Sequence, residues 1–80
     1  MTQQDFYTKV YDNLTEGYPT ALISNDGFKM RVYFGYMDET GEPWFNAIGI
    51  EGSEFARVSE TFNSEELERF VINNGFELYQ

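Results

Sequence analysis

The fold is decided by residues 25–36, which read NDGFKMRVYFGY. The first three residues are the strongest hairpin signal in the chain, because Asn, Asp and Gly suit the tight turns that join antiparallel strands. Apolar and polar side chains then alternate with the period of a β-strand. One face carries Phe28, Met30, Val32, Phe34 and Tyr36, and the other carries Lys29, Arg31 and Tyr33. The stretch therefore predicts the second strand of a hairpin, with its apolar face buried.

A helix is predicted on each side of this hairpin. Thr2 and Asp5 have the spacing of a capping box, an apolar stripe at helical spacing follows, and Gly17 ends the pattern, which predicts a helix over 2–15. Asn63 and Glu66 repeat the capping-box spacing, which predicts a second helix that ends near Gly75.

Short strands fill the rest of the chain. They are predicted over 20–24, 44–50, 55–61 and 76–79. In the strand over 44–50, Trp44, Ile48 and Ile50 share a side that Asn46 interrupts. The resulting order αββββαβ predicts one α+β domain over residues 1–80, in which two helices cover one face of an antiparallel β-meander sheet of four to five strands.

Length and composition exclude several classes of protein. Eighty residues bury only one modest core, to which eight Phe, six Tyr and one Trp contribute large side chains. Cys and His are absent, which excludes disulfides and zinc sites built from thiolate or imidazole. The chain has no basic, apolar leader pattern and no apolar run of membrane-spanning length, so we expect a cytoplasmic protein.

No residue pattern typical of catalysis is found. The serines have no His to activate them, and the turn over 38–43 lacks the spacing of a calcium loop. We therefore expect no catalytic residues, no cofactor and no metal. The remaining catalytic alternative is acid–base chemistry by paired carboxylates such as Asp38 and Glu42.

Acidic residues outnumber basic ones by fourteen to five, which gives a net charge of −9 and disfavours direct binding to nucleic acid or to an anionic membrane. A meander with hairpin turns would gather seven acids at one end of the domain: Glu16, Asp38, Glu39, Glu42, Glu60, Glu65 and Glu66. The five bases fall within elements or toward the other end: Lys9, Lys29, Arg31, Arg57 and Arg69.

This acidic end has two interpretations. Turns are polar because they are wet, and Glu is favoured at a helix N-terminus, so the end can be simply a solvated surface. Alternatively, it mimics nucleic acid, because carboxylates on adjacent helical turns or alternate strand positions lie roughly 6–7 Å apart, close to the spacing of phosphates. Such a surface would fit the basic groove of a nucleic-acid-binding protein, and exposed aromatic side chains would add affinity. The candidate aromatics are Tyr18, Tyr33, Tyr36 and Trp44, although packing across strands is the favoured role of the last two.

In size, charge and layout the whole chain resembles phage-encoded inhibitors of bacterial defence, of the anti-CRISPR and anti-restriction type. The resemblance implies a stoichiometric inhibitor, without catalytic activity, that acts in the cytoplasm of the host cell. Its partner would be a CRISPR effector or a restriction enzyme.

Three alternatives remain open beside this hypothesis. They are an immunity protein that guards a nuclease toxin, an accessory or scaffold domain that forms a homodimer through its aromatic surface, and an enzyme that uses carboxylates. The leading hypothesis assigns contact with basic partner side chains to Asp38, Glu39 and Glu42, supported by Glu16, Glu60, Glu65 and Glu66. It also expects the joint replacement of the first three by Lys to leave the fold intact.

Overall fold

The computed structural model of the chain describes residues 1–49 and 59–79. Its five strands are β1 Thr20–Ile23, β2 Lys29–Met37, β3 Pro43–Gly49, β4 Ser59–Asn63 and β5 Glu77–Leu78. They form one antiparallel sheet in the order β4-β3-β2-β1-β5. The predicted α+β meander is therefore confirmed, with β5 added beside β1. The predictions made for residues 50–58, which include Ile50, Arg57 and most of the strand over 55–61, lie outside the described residues.

Two helices complete the fold. Helix α1 runs continuously through three segments, Gln3–Asp5, Phe6–Tyr11 and Asp12–Thr15, and helix α2 spans Ser64–Asn73. The middle segment of α1 is π-helical, a feature that the sequence does not reveal. Both predicted capping boxes are present, because the side chains of Thr2 and Asn63 each accept a hydrogen bond from the amide three residues later.

Both helices pack on the same face of the sheet. The core joins the apolar stripes of the two helices to alternate residues of the central strands: Phe6, Val10, Leu14, Leu22, Met30, Val32, Phe45, Ala47, Leu67, Val71 and Phe76. Burial of each large apolar side chain stabilises the fold by about 1.5–3 kcal/mol. No helix in the described part of the chain is long and apolar enough to cross a membrane.

The side of the sheet that faces away from this core is called the open face. Strand pairing places Ala21, Arg31, Tyr33, Asn46 and Ile48 on it. In β3 the predicted shared side of Trp44 and Ile48 is real, but it is the open face. The core side of β3 carries Phe45 and Ala47 instead, which are 0% and 6% exposed.

Strand β2 follows the predicted alternation only over its first half. Met30 and Val32 are buried as expected, but Phe34 is 37% exposed and Tyr36 is 52% exposed. Phe34 stays on the core side, where its ring packs against Phe45, but it is only partly covered. For Tyr36 the cause is a β-bulge between Phe34 and Tyr36, because Gly35 and Tyr36 together oppose the single residue Trp44. The extra residue reverses the alternation and moves Tyr36 to the open face beside Trp44. The prediction of a uniformly buried apolar face was therefore wrong beyond Val32.

Candidate partner-binding site

The turn between β2 and β3 is built around one carboxylate. Asp38 Oδ1 accepts hydrogen bonds from the amides of Thr40 and Glu42, at 2.9 Å each, and from the Thr40 hydroxyl at 2.6 Å. Asp38 Oδ2 accepts from the indole Nε1 of Trp44 at 2.9 Å. Four donors therefore converge on this side chain, and they fix both the turn and the ring that follows it.

These hydrogen bonds lower the pKa of Asp38. The bonds from the Thr40 hydroxyl, the Trp44 indole and the Glu42 amide favour the ionised form, so they hold the pKa of Asp38 far below its ordinary value of 3.8. The carboxylate keeps its negative charge, but its hydrogen-bonding capacity is used within the turn. Asp38 is thus a structural residue of the site, and its replacement by Lys would remove these four hydrogen bonds, which the expectation of an intact fold did not take into account.

An aromatic pair stands beside this turn on the open face. The rings of Tyr36 and Trp44 are stacked, with their centroids 6.1 Å apart and their planes inclined by only 4°. The predicted packing of these two side chains across strands is therefore confirmed, yet Tyr36 remains 52% exposed. The other two candidate aromatics differ: Tyr18 is exposed in the loop before β1, and Tyr33 is half-buried on the open face.

Five of the seven predicted acids lie at the end of the sheet marked by this turn. Asp38, Glu39 and Glu42 belong to the turn itself. Glu65 and Glu66 lie at the same end because α2 begins there. Its N-cap, Asn63, pairs with Trp44 in the sheet. The carboxylate of Glu66 already accepts one hydrogen bond there, from the Asn63 amide at 3.1 Å.

Glu60 does not join them, because it pairs with Ala47, five residues along the chain from Glu42, which corresponds to about 16 Å. Glu16 follows the end of α1, four residues before β1, and no described hydrogen bond or ion pair joins its side chain to the turn.

The bases lie away from the turn in the described part of the chain. Lys29 and Arg31 pair with Ile23 and Ile48 toward the opposite end of β2. Lys9 approaches Asp5 at 3.8 Å on α1. Arg69 lies four residues after Glu65 in helix α2, but no ion pair joins Arg69 to any described carboxylate. Glu39, Glu42 and Glu65 consequently have no ion-pair partner among the described residues.

Sequence reasoning missed two features of this site. One is the bulge, for which a Gly inside an alternating strand is the available signal. The other is the bond between Asp38 and Trp44, which depends on the turn's closure. The sequence Asp-Glu-Thr-Gly does signal a side chain that accepts the amide two residues on, as Asp38 accepts that of Thr40.

The described residues contain no group of three or more His, Cys, Asp or Glu side chains arranged to hold a metal ion. Comparison of the chain with protein-family models, with curated proteins and with solved structures found no match.

Proposed function

We propose that this protein is a non-catalytic inhibitor that binds a basic, nucleic-acid-handling protein. The partner class is a CRISPR effector or a restriction enzyme, encountered in the cytoplasm of a host cell. One observation carries the proposal: Glu39, Glu42 and Glu65 come to one end of the sheet without an ion-pair partner among the described residues. Like charges held together repel, and a basic surface relieves that repulsion on binding.

The proposed mode of action is occupation of the partner's nucleic-acid groove, in the manner of a DNA mimic. A net charge of −9 attracts a basic groove over a distance comparable with the Debye length and so accelerates encounter. Asp38 contributes to this field, because its lowered pKa keeps it ionised. The exposed ring of Tyr36 supplies contact area beside the charges.

An immunity protein that guards a nuclease toxin is the second candidate, because the same acidic end fits the basic cleft of a nuclease. A homodimeric scaffold is the third, and the exposed Ile48 and Arg31 on the open face favour it. Salt separates these modes of binding: charge-driven complexes weaken as salt is added, whereas a dimer formed through an apolar face persists.

The test is capture from a lysate of the native host by the immobilised protein, with the captured protein identified by mass spectrometry. The proposal expects a basic nucleic-acid-binding protein that is released by salt and by added DNA or RNA. The triple variant Glu39→Lys/Glu42→Lys/Glu65→Lys should bind that protein more than about tenfold more weakly, mainly through a slower association rate.

The matched control reverses three acids elsewhere, in the variant Asp12→Lys/Asp26→Lys/Glu60→Lys, which changes the net charge equally. All three side chains are exposed and none has a described hydrogen bond. Binding should be weakened much less in this control. Equal losses in the two variants, or a captured protein that does not bind nucleic acid, would contradict the proposal.

A further inference from the structure

The aromatic surface at the end of β2 has no evident role in the core. Tyr36 is 52% exposed on the open face and does not belong to the buried cluster, whereas Met37, the next residue of β2, lies on the opposite face. The only described ring contact of Tyr36 is the stack on Trp44. The ring of Tyr36 therefore offers a large apolar area, left half in water beside charged residues, that is available for contact with a partner.

This surface is also held in a fixed arrangement. Asp38 anchors the indole of Trp44 at 2.9 Å. Beneath the pair, a Cβ placed on Gly35 would come within 2.9 Å of the Trp44 carbonyl oxygen and 3.2 Å of Asn46 Nδ2. The backbones of β2 and β3 therefore approach more closely here than a side chain would permit. Because the rings are positioned before binding, a ligand that stacks on Tyr36 loses little additional conformational entropy.

The charges beside the rings identify what would stack there. Asp38 accepts four hydrogen bonds from its own segment, three on Oδ1 and one on Oδ2, so most of its accepting capacity is already used. The side chains of Glu39 and Glu42 have no described hydrogen bond or ion pair, and both residues lie in the turn over 38–42, just before Trp44. An exposed ring next to a turn that carries two carboxylates without partners fits a planar cation that stacks and donates hydrogen bonds together.

We infer that the exposed ring of Tyr36 receives an arginine side chain of the partner, whose guanidinium pairs with Glu39 or Glu42. The inference rests on the proposed function and names the chemistry that the site recognises. Lysine fits less well, because its ammonium is compact, strongly hydrated and unable to stack as a plane. A second copy of this chain is a poor occupant, because two copies with a charge of −9 repel each other.

The test uses two short peptides of equal length and charge on a Gly-Ser background, one with arginines and one with lysines. Trp44 is the only Trp in the chain, so its fluorescence reports binding at this place even if the peptides also bind elsewhere. At low salt the arginine peptide should bind about two- to fivefold more tightly than the lysine peptide.

Substitutions at Tyr36 test the stacking. Tyr36→Phe keeps the aromatic face and should retain the preference for arginine. Tyr36→Leu keeps an apolar side chain without that face, so the two peptides should bind equally. Tyr18→Leu alters an exposed ring in the loop before β1 and serves as the matched control, with the preference unchanged. Circular dichroism checks that each variant is folded.

The outcomes separate this inference from the proposed function. Equal binding of the two peptides, a preference that survives Tyr36→Leu, or no binding of either peptide would overturn the arginine assignment. Glu39→Gln/Glu42→Gln should weaken both peptides. If the two peptides bind the parent equally, and Glu39→Gln/Glu42→Gln lowers the affinity for both, the arginine assignment is wrong while the acidic end remains the binding site. If the double variant binds both as the parent does, the acidic end is not the site.

Discussion

The two hairpin turns at the ends of β2 share one backbone design. In turn 24–28 the amide of the first residue donates to the carbonyl of the fifth at 2.8 Å, and in turn 38–42 the same bond measures 2.9 Å. The fourth positions, Gly27 and Gly41, have φ angles of +85° and +84°, and each donates its amide to the carbonyl of the first residue. A residue other than Gly would be strained at either position.

The turns differ in the side chain at their first position. Ser24 is neutral and 8% exposed, and its hydroxyl accepts a single amide, that of Phe28, at 3.1 Å. Asp38 is ionised and accepts four donors, one of which is the indole of Trp44. A short side chain that accepts one amide at the first position, as Ser24 does, is therefore enough to close such a turn. The additional bonds of Asp38 position a ring beyond the turn, and this is why we place the functional site at that end of β2.

The largest expected contrast lies in the side chains next to the two turns. Met30, near the first turn, is 1% exposed, so Met30→Ala should lower the free energy of unfolding by about 2–5 kcal/mol. Phe34, near the second, is 37% exposed, so Phe34→Ala should cost only about 1–2 kcal/mol. Urea denaturation measures both. A larger loss from Phe34→Ala would mean that the second half of β2 is as deeply buried as the first.

A smaller contrast concerns the pH dependence of the turns. The pKa of Asp38 is lower in the folded protein than its ordinary value of 3.8, so ionised Asp38 stabilises the fold above that pH. This contribution is lost as the pH falls below about 4 toward the folded pKa. The stability difference between the parent and Asp38→Asn should therefore shrink between about pH 5 and about pH 2.

Ser24→Ala is the control for this measurement, because its hydroxyl does not titrate. It should cost about 1 kcal/mol at each of these pH values. A difference between the parent and Asp38→Asn that stays constant with pH would show that the hydrogen bonds of Asp38 do not depend on its charge.

The sequence predicts the regular parts of this fold well, for physical reasons. Capping boxes are local signals of three residues, and those at Thr2 and Asn63 form as expected. Alternation correctly predicts burial of Met30 and Val32, because a regular strand has a period of two. It fails after Gly35, where one extra residue reverses the two faces.

The candidate site was predicted only in part, because its geometry depends on strand lengths and register. β4 ends at Asn63 rather than at residue 61, so Glu65 reaches the turn while Glu60 stays opposite Ala47. In β3, residues with apolar rings lie on both faces, so alternation alone could not choose between Trp44 and Phe45 for the core.

The central claim is that this end of β2 presents a stacked aromatic pair, with Tyr36 exposed and Trp44 half-buried, within a negative field, and collisional quenching of Trp44 fluorescence tests it most directly. Relative to its quenching of free N-acetyltryptophanamide, caesium should quench Trp44 more efficiently than iodide does at low salt, with neutral acrylamide as the reference for accessibility, because the nearby carboxylates attract cations and repel anions. The difference should shrink in Glu39→Gln/Glu42→Gln and on addition of inert salt. Equal normalised quenching by caesium and iodide, or stronger normalised quenching by iodide, would contradict the account.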